Sequence, residues 1–271
     1  MALINVEWLE KNSNKVKIID CSWHMPLTSR NGFEEYKKQH IEGAIFFDLD
    51  KNSQQKTDLP HMLTDKDSWE NIVSNMGIKN DDEIVVYDNS NVISSCRCWY
   101  NFIYFGHDPK LIHVLDGGLK KWINKKKPIT SSLTHIENTS YYADEKNELV
   151  KNKKEIDDNV FKKNFIVIDA RNKKRFNGEV PEPRKGLRSG SIQDSFCLPF
   201  SELINADGTF VSKEKILEKF QSICKLDKTV VFSCGSGVTA AVLAFLYSLI
   251  DNKYAPIIYD GSWSEYGKYP K

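Results

Sequence analysis

The feature that most constrains this chain is that it repeats itself. Lys17-Ile18-Ile19-Asp20-Cys21 resembles Ile166-Val167-Ile168-Asp169-Ala170. Asp82-Glu83-Ile84-Val85-Val86-Tyr87-Asp88 resembles Asp227-Lys228-Thr229-Val230-Val231-Phe232-Ser233, and Val114-Leu115-Asp116-Gly117-Gly118-Leu119 resembles Ile258-Tyr259-Asp260-Gly261-Ser262-Trp263. The order is kept at offsets of about 144 to 149 residues, too long for a solenoid unit and right for a duplicated domain. In each copy, short β-branched runs alternate with longer stretches of helical spacing. The runs are Val16–Asp20, Glu83–Asp88, Ile112–Leu115, Phe165–Asp169, Thr229–Ser233 and Pro256–Tyr259. Such alternation predicts α/β domains, each a mainly parallel sheet covered by helices on both faces. The expected bounds are 1–123 and 160–271. Between them, 124–159 is rich in Lys, Asn and Ser and reads as a surface linker, with Lys125-Lys126-Lys127 as part of a solvated tether.

Charge and hydropathy exclude several classes. Lys+Arg 38 against Asp+Glu 37 leaves a formal charge of +1, so no basic excess points to nucleic acid or an anionic membrane. At 40% hydrophobic and 11% aromatic, the chain has the material for two cores and is not globally disordered. Its longest apolar stretch, Val238–Ile250, is shorter than the roughly 20 residues of a membrane span. The opening residues carry Glu7 and Glu10 without the pattern of a secretory or transit signal, so the expected address is the cytosol. Of the six cysteines, only Cys96 and Cys98 are close-spaced, and one intervening residue is not a zinc-knuckle spacing. No metal and no organic cofactor is expected.

The segment that carries chemistry is Val230-Val231-Phe232-Ser233-Cys234-Gly235-Ser236-Gly237-Val238-Thr239-Ala240. A buried strand delivers a cysteine into a glycine-bearing loop, and a helix from Thr239 to about Ile250 begins at its end. Loop amides and the helix N-terminus together stabilise an anion, including a thiolate. Gly235 and Gly237 are expected to supply positive φ so that the amides turn inward. A nucleophilic or redox cysteine is one reading; a buried cysteine beside a glycine turn is the other. The first copy of the loop separates them. Aligned by sequence, Asn89 stands opposite Cys234, and Ser90-Asn91-Val92-Ile93 lacks glycine. A duplicated domain with one working site has this asymmetry. A tyrosine-phosphatase-like loop is disfavoured, because Ala240 stands where its clamping arginine belongs.

With these motifs the chain resembles the two-domain rhodanese family, and within it the 3-mercaptopyruvate sulfurtransferases. The resemblance runs over nearly the whole sequence. It is carried by His40-Ile41-Glu42-Gly43-Ala44, Asp58-Leu59-Pro60-His61-Met62-Leu63 and Leu115-Asp116-Gly117-Gly118-Leu119 in the first half. In the second half it is carried by Asp169-Ala170-Arg171, Pro181-Glu182-Pro183-Arg184 and the Cys-Gly-Ser-Gly-Val-Thr loop. The resemblance implies tandem rhodanese-like domains, the second catalytic and the first not. It implies Cys234 as the residue that carries a persulfide, with Gly235, Gly237, Val238 and Thr239 lining the loop. Arg175 and Arg184 match the family's two substrate-carboxylate arginines, a role that suits an always-charged bidentate guanidinium. Arg171, Lys185 and Arg188 are left as structural or solvated. A relay of Ser236, Asp50 and His61 is implied as well, with residues drawn from both halves of the chain. The remaining histidines, His24, His40, His107, His113 and His135, read as structural.

The implied activity moves sulfur from 3-mercaptopyruvate to a thiol acceptor such as thioredoxin and releases pyruvate. Two alternatives stay open: a thiosulfate sulfurtransferase, and a non-catalytic persulfide carrier or partner-binding module. The family's thiosulfate users typically place basic residues after the cysteine, and this loop has none. Departures from the family pattern fall at turns, at Glu42 and at Gly190-Ser191-Ile192-Gln193-Asp194.

Overall fold

The computed structural model describes residues 2–251 and 253–269; the expected end of the second domain, 271, lies outside them. The chain forms two compact units. One comprises Met1–Gln55, Leu63–Lys146 and Ala206–Phe210; the other comprises Lys56–Met62, Asn147–Asn205 and Val211–Lys271.

In the first unit the strands are β1 (Leu3–Ile4), β2 (Lys17–Asp20), β3 (His40–Ile41), β4 (Ala44–Phe46), β5 (Ile84–Tyr87), β6 (Ile112–Leu115) and β7 (Ile129–Thr130). Five of them make a parallel sheet in the order β1-β6-β5-β2-β4, and β3 pairs antiparallel with β7. In the second unit β8 (Val150–Lys151), β9 (Phe165–Asp169), β10 (Phe196–Cys197), β11 (Thr229–Ser233) and β12 (Ile257–Tyr259) form a parallel sheet ordered β10-β9-β11-β12-β8. The six runs expected from β-branched composition are all strands, and they are the central ones of the two sheets. The two-residue edge strands and β4 carry too few residues to show a period.

Central strands are buried on both faces, as near-continuous apolar runs require. Ile84, Val85, Val86 and Tyr87 of β5 are fully buried, and so are Val231 and Phe232 of β11. Crossover helices supply the covering layers. Among them are α1 (Val6–Asn12), α2 (Gly32–Lys38), α3 (Lys66–Asn75), α4 (Ser95–Tyr104) and α5 (Gly118–Asn124) in the first unit. The second unit has α6 (Lys153–Lys162), α7 (Lys173–Phe176), α8 (Lys213–Gln221), α9 (Val238–Ile250) and α10 (Ser262–Tyr266). Helix α9 is buried along nearly its whole length, which explains why its sequence is apolar all round. No helix among the described residues is long and apolar enough to cross a membrane.

The stretch expected to be a tether, 124–159, is not uniformly one. Its early part is held by the first unit. Thr134 Oγ1 donates to the Ala44 carbonyl, the Thr139 amide to the Ser74 carbonyl, and Tyr141 is buried against the His107 ring. Its later part builds the second unit, where β8 pairs with β12 and α6 starts on a full capping box of Asn152 and Glu155. A lysine- and asparagine-rich composition hid these elements, because they bury only single residues such as Ile156 and satisfy the rest through caps and i,i+4 ion pairs.

The first unit also buries a carboxyl that, among the described residues, contacts no cation. Asp20, at the end of β2, accepts the Ser22 amide at 2.9 Å, and burial pushes its carboxyl up to about 6, reinforced by nearby Asp88. An unfolded Asp titrates near 3.9. Between about pH 4 and 6 the native chain therefore holds more protons than the unfolded one, and stability falls as pH rises through that window. Asp20→Asn keeps the acceptor for Ser22 and removes the charge. The variant is expected to be about 1–3 kcal/mol more stable than the parent at pH 7.5 and to converge with it near pH 4, read from thermal melts across that range.

Candidate active site

Strand β11 ends at Ser233, and the loop that follows is fixed from behind through its carbonyls. The Trp263 amide donates to the Cys234 carbonyl at 2.9 Å. The Ser264 amide and hydroxyl donate to the Gly235 carbonyl at 2.9 and 2.6 Å. A trans peptide points its C=O and the following N–H in opposite directions. Tying these carbonyls to 263–264 therefore turns the Gly235 and Ser236 amides away from that segment. The Cys234 amide itself is held by Ser262 Oγ at 3.1 Å, and that hydroxyl donates onward to the Tyr259 carbonyl at 2.8 Å. Gly237 then adopts φ 82°, ψ −14° and starts α9. Among the described residues, the consecutive amides of Gly235 through Ala240 donate to no protein acceptor. A loop of open amides at a helix N-terminus is an anion site, and it lies directly after a cysteine that is 2% exposed.

The two glycines have different jobs. Gly237 has the expected positive φ; Gly235 does not. A Cβ on Gly235 would lie 3.2 Å from Arg175 Nη2 and 3.7 Å from Arg184 Nη1. A side chain there would crowd the Arg175 guanidinium and touch that of Arg184, a closeness that sequence spacing alone did not reveal.

Those guanidiniums are the two arginines expected to bind a carboxylate. Arg184 Nη2 also reaches Ser236 Oγ at 3.4 Å, and Ser236 Oγ lies 3.0 Å from His61 Nδ1. His61 and Ser236 are 4% and 5% exposed. His61 belongs to the 56–62 segment of the second unit, so the serine–histidine pair of the expected relay forms within that unit. Asp50 belongs to the first unit, where the Trp23 indole N–H donates to its carboxylate at 3.0 Å.

Glu182 was part of a quoted motif, but its role was not legible. Its side chain is 1% exposed and its carboxylate receives two arginines. Oε1 accepts from Arg171 Nη1 at 2.9 Å and Arg175 Nε at 3.1 Å, and Oε2 accepts from Arg175 Nη2 at 2.5 Å. Arg171 is structural, as expected: it is buried, bound to both oxygens of Asp169 and stacked 4.5 Å from the Trp263 ring centroid. Ser262 and Ser264 were also missed. Their signal was present in the repeat, where Ser262 replaces Gly118 after the last strand.

The first unit contains the same loop closed on itself. The ladder pairs Asp20 with Tyr87 and Asp169 with Ser233, while the Cys21 and Ala170 amides donate to the Tyr87 and Ser233 carbonyls. This register makes Asp88, not Asn89, the counterpart of Cys234. The sequence alignment slipped by one residue because both strands are uniform apolar runs. The Asp88 carboxylate accepts the Ser90 amide at 2.8 Å and the Ser95 amide, at the start of α4, at 2.9 Å. Serine hydroxyls take the amides of Asn89, Val92 and Ser94. This loop is filled by its own anion; the loop of the second unit is open. Elsewhere His24, His40, His107 and His113 contact Glu35, the Tyr36 carbonyl, the Asp82 carbonyl and Glu83, in keeping with structural roles.

Two parallel α/β units of common topology, one with an open cysteine loop, define a tandem sulfur-handling architecture, and the comparisons agree. The rhodanese-like domain family matches residues 5–125 and 152–269, and the chain belongs to that family. It is 37% identical to the mitochondrial thiosulfate/3-mercaptopyruvate sulfurtransferase 1 of Arabidopsis thaliana over 99% of this chain and 76% of that protein. It is 34% identical to the 3-mercaptopyruvate sulfurtransferase of Mus musculus over 98% of this chain and 91% of that protein. The crystal structure of the 3-mercaptopyruvate sulfotransferase SseA from Escherichia coli superposes with a TM-score of 0.87 at 30% identity, covering 97% of this chain and 99% of that one.

Substituting the two glycines should separate their jobs. Gly237→Ala forces a side chain into left-handed backbone and is expected to cost about 1 kcal/mol in thermal or urea unfolding. Gly235→Ala is expected to leave stability nearly unchanged while displacing Arg175. The readout is weaker protection of Cys234 from alkylation by a small carboxylate such as acetate.

Proposed function

We propose that this chain is a sulfurtransferase that takes sulfur from 3-mercaptopyruvate and passes it to a thiol through a persulfide on Cys234. The open run of amides from Gly235 to Ala240 beside that thiol carries the proposal, because a persulfide needs a place for an extra, anionic sulfur. Arg175 and Arg184 hold the donor carboxylate. The Cys234 thiolate attacks the donor's sulfur, the carbon–sulfur bond breaks, and its electron pair leaves on carbon as the enolate of pyruvate. Ser236, hydrogen-bonded to His61, serves the enolate oxygen and the proton that returns to carbon, with Asp50 as the carboxylate that the family resemblance adds. An acceptor thiolate then attacks the outer sulfur, and Cys234 departs as the thiolate. In the proposal the second domain is catalytic, the first is not, and thioredoxin is an acceptor. Its dithiol would close to a disulfide and expel sulfide.

The same site accommodates a thiosulfate donor in principle, and the name of the Arabidopsis relative includes both substrates. Comparison of kcat/KM for the two donors decides between them, and the expectation is that mercaptopyruvate is preferred. The proposed address is the cytosol, although one relative is named as mitochondrial; fractionation of cells that express the full chain tests it.

Cys234→Ser is expected to lose turnover about a thousandfold or more with either donor. Retained sulfur transfer in that variant would end the proposal. Arg184→Ala is expected to raise KM for mercaptopyruvate roughly tenfold to a hundredfold, the loss of one charge-assisted hydrogen bond. Intact mass after incubation with mercaptopyruvate alone should show one added sulfur, removed when reduced thioredoxin is supplied. A loaded protein that turns over no donor would instead be a carrier.

A further inference from the structure

Resting on the sulfur-transfer reading, we infer that Glu182 is a positioning residue for the donor. It grips the Arg175 guanidinium by one edge and so leaves the other edge set for the donor's carboxylate. A guanidinium is planar and presents its N–H groups along two usable edges, a side edge of Nε and Nη2 and an end edge of Nη1 and Nη2. Glu182 takes the side edge of Arg175, with Nε donating to Oε1 at 3.1 Å and Nη2 to Oε2 at 2.5 Å. Among the described residues no other acceptor meets that guanidinium, so the end edge keeps its N–H groups. Nη2 belongs to both edges, and it lies 3.2 Å from where a Cβ on Gly235 would stand. The edge left over is therefore beside the loop that carries Cys234.

The grip is itself held. The Glu182 side chain is shielded from solvent, and its Oε1 also accepts from Arg171 Nη1 at 2.9 Å. Arg171 is buried in turn, donating to Asp169 and to the Gly190 carbonyl and stacked on Trp263. Pro183 keeps the Glu182 backbone that precedes it away from helical angles. At the other end of Arg175, the backbone amide donates to the Asn172 side chain that caps α7, at 2.9 Å. Arginine is among the side chains with the most rotamer freedom to lose. Fixed at both ends before the donor arrives, Arg175 has little left to lose on binding. Preorganisation of this kind shows in affinity rather than in the chemical step. Glu182 touches neither donor nor thiol in this account; it acts through Arg175.

The test is a double-mutant cycle on KM and kcat for mercaptopyruvate, with Glu182→Gln, Arg175→Ala and the pair. Glu182→Gln keeps the size but leaves one acceptor oxygen where the fork needs two. It is expected to raise KM about five- to tenfold, the effect of ordering one long side chain at each binding event, with kcat within about threefold of the parent. On top of Arg175→Ala the same change is expected to move KM by less than about twofold, because the group it positions is gone. An equal factor in both backgrounds, or a loss confined to kcat, marks a merely structural role and would overturn the inference. Arg175→Lys leaves Glu182 untouched and so decides the matter even where Glu182→Gln does not fold. Lysine keeps the charge but has no second edge, so its KM is expected within about threefold of that of Arg175→Ala. A parental KM in Arg175→Lys would overturn the inference equally. A parental KM in Arg175→Ala would instead strike the carboxylate clamp on which the inference rests. Failure of the unmodified protein to transfer sulfur from either donor would strike the proposed function as a whole.

Discussion

The site depends on how two peptide carbonyls are tied. Trp263 and Ser264 hold the Cys234 and Gly235 carbonyls at 2.6–2.9 Å, and planar trans peptides send the next amides to the opposite side. Helix α9 then begins on left-handed Gly237 and adds its own open amides. Nothing in this arrangement requires a charged side chain in the loop. Anion stabilisation comes from backbone dipoles held in place before any ligand arrives, so little reorganisation opposes charge that forms on sulfur.

The duplicated unit shows what the loop does when that opening is not kept. Asp88 occupies the cysteine position and binds the Ser90 and Ser95 amides with its own carboxylate. Burial still raises that carboxyl despite both amides. A carboxylate in place of the thiol, together with the Ser22 and Ser90 hydroxyls, separates the self-satisfied loop from the open one. The sheets beneath are built alike.

Beside the open loop, Arg175 is held by a buried network. Asp169 and Glu182 are shielded and both accept from buried Arg171, and Arg175 is held at their edge. Removing one member of such a network leaves an uncompensated buried charge. The proline-bounded Pro181-Glu182-Pro183-Arg184 segment thus places an acid beside one guanidinium and follows it with another.

The sequence by itself determined the duplication, the central strands and the cysteine before a helix, and the family resemblance added the two arginines. These are legible because buried parallel strands are unbroken β-branched runs, and because glycine and cysteine are rare enough to mark a loop. It did not determine the register of the first loop, since sliding one apolar run by a residue changes no pattern in it. It misread 124–159, where structure rests on caps and single buried side chains. Only the tertiary structure decided that two guanidiniums approach Gly235, and that His61 meets Ser236 inside the second unit. It alone showed that Glu182 binds both Arg171 and Arg175 while Asp169 binds Arg171. Those outcomes depend on distances between residues far apart in sequence, and no local spacing encodes a distance of that kind.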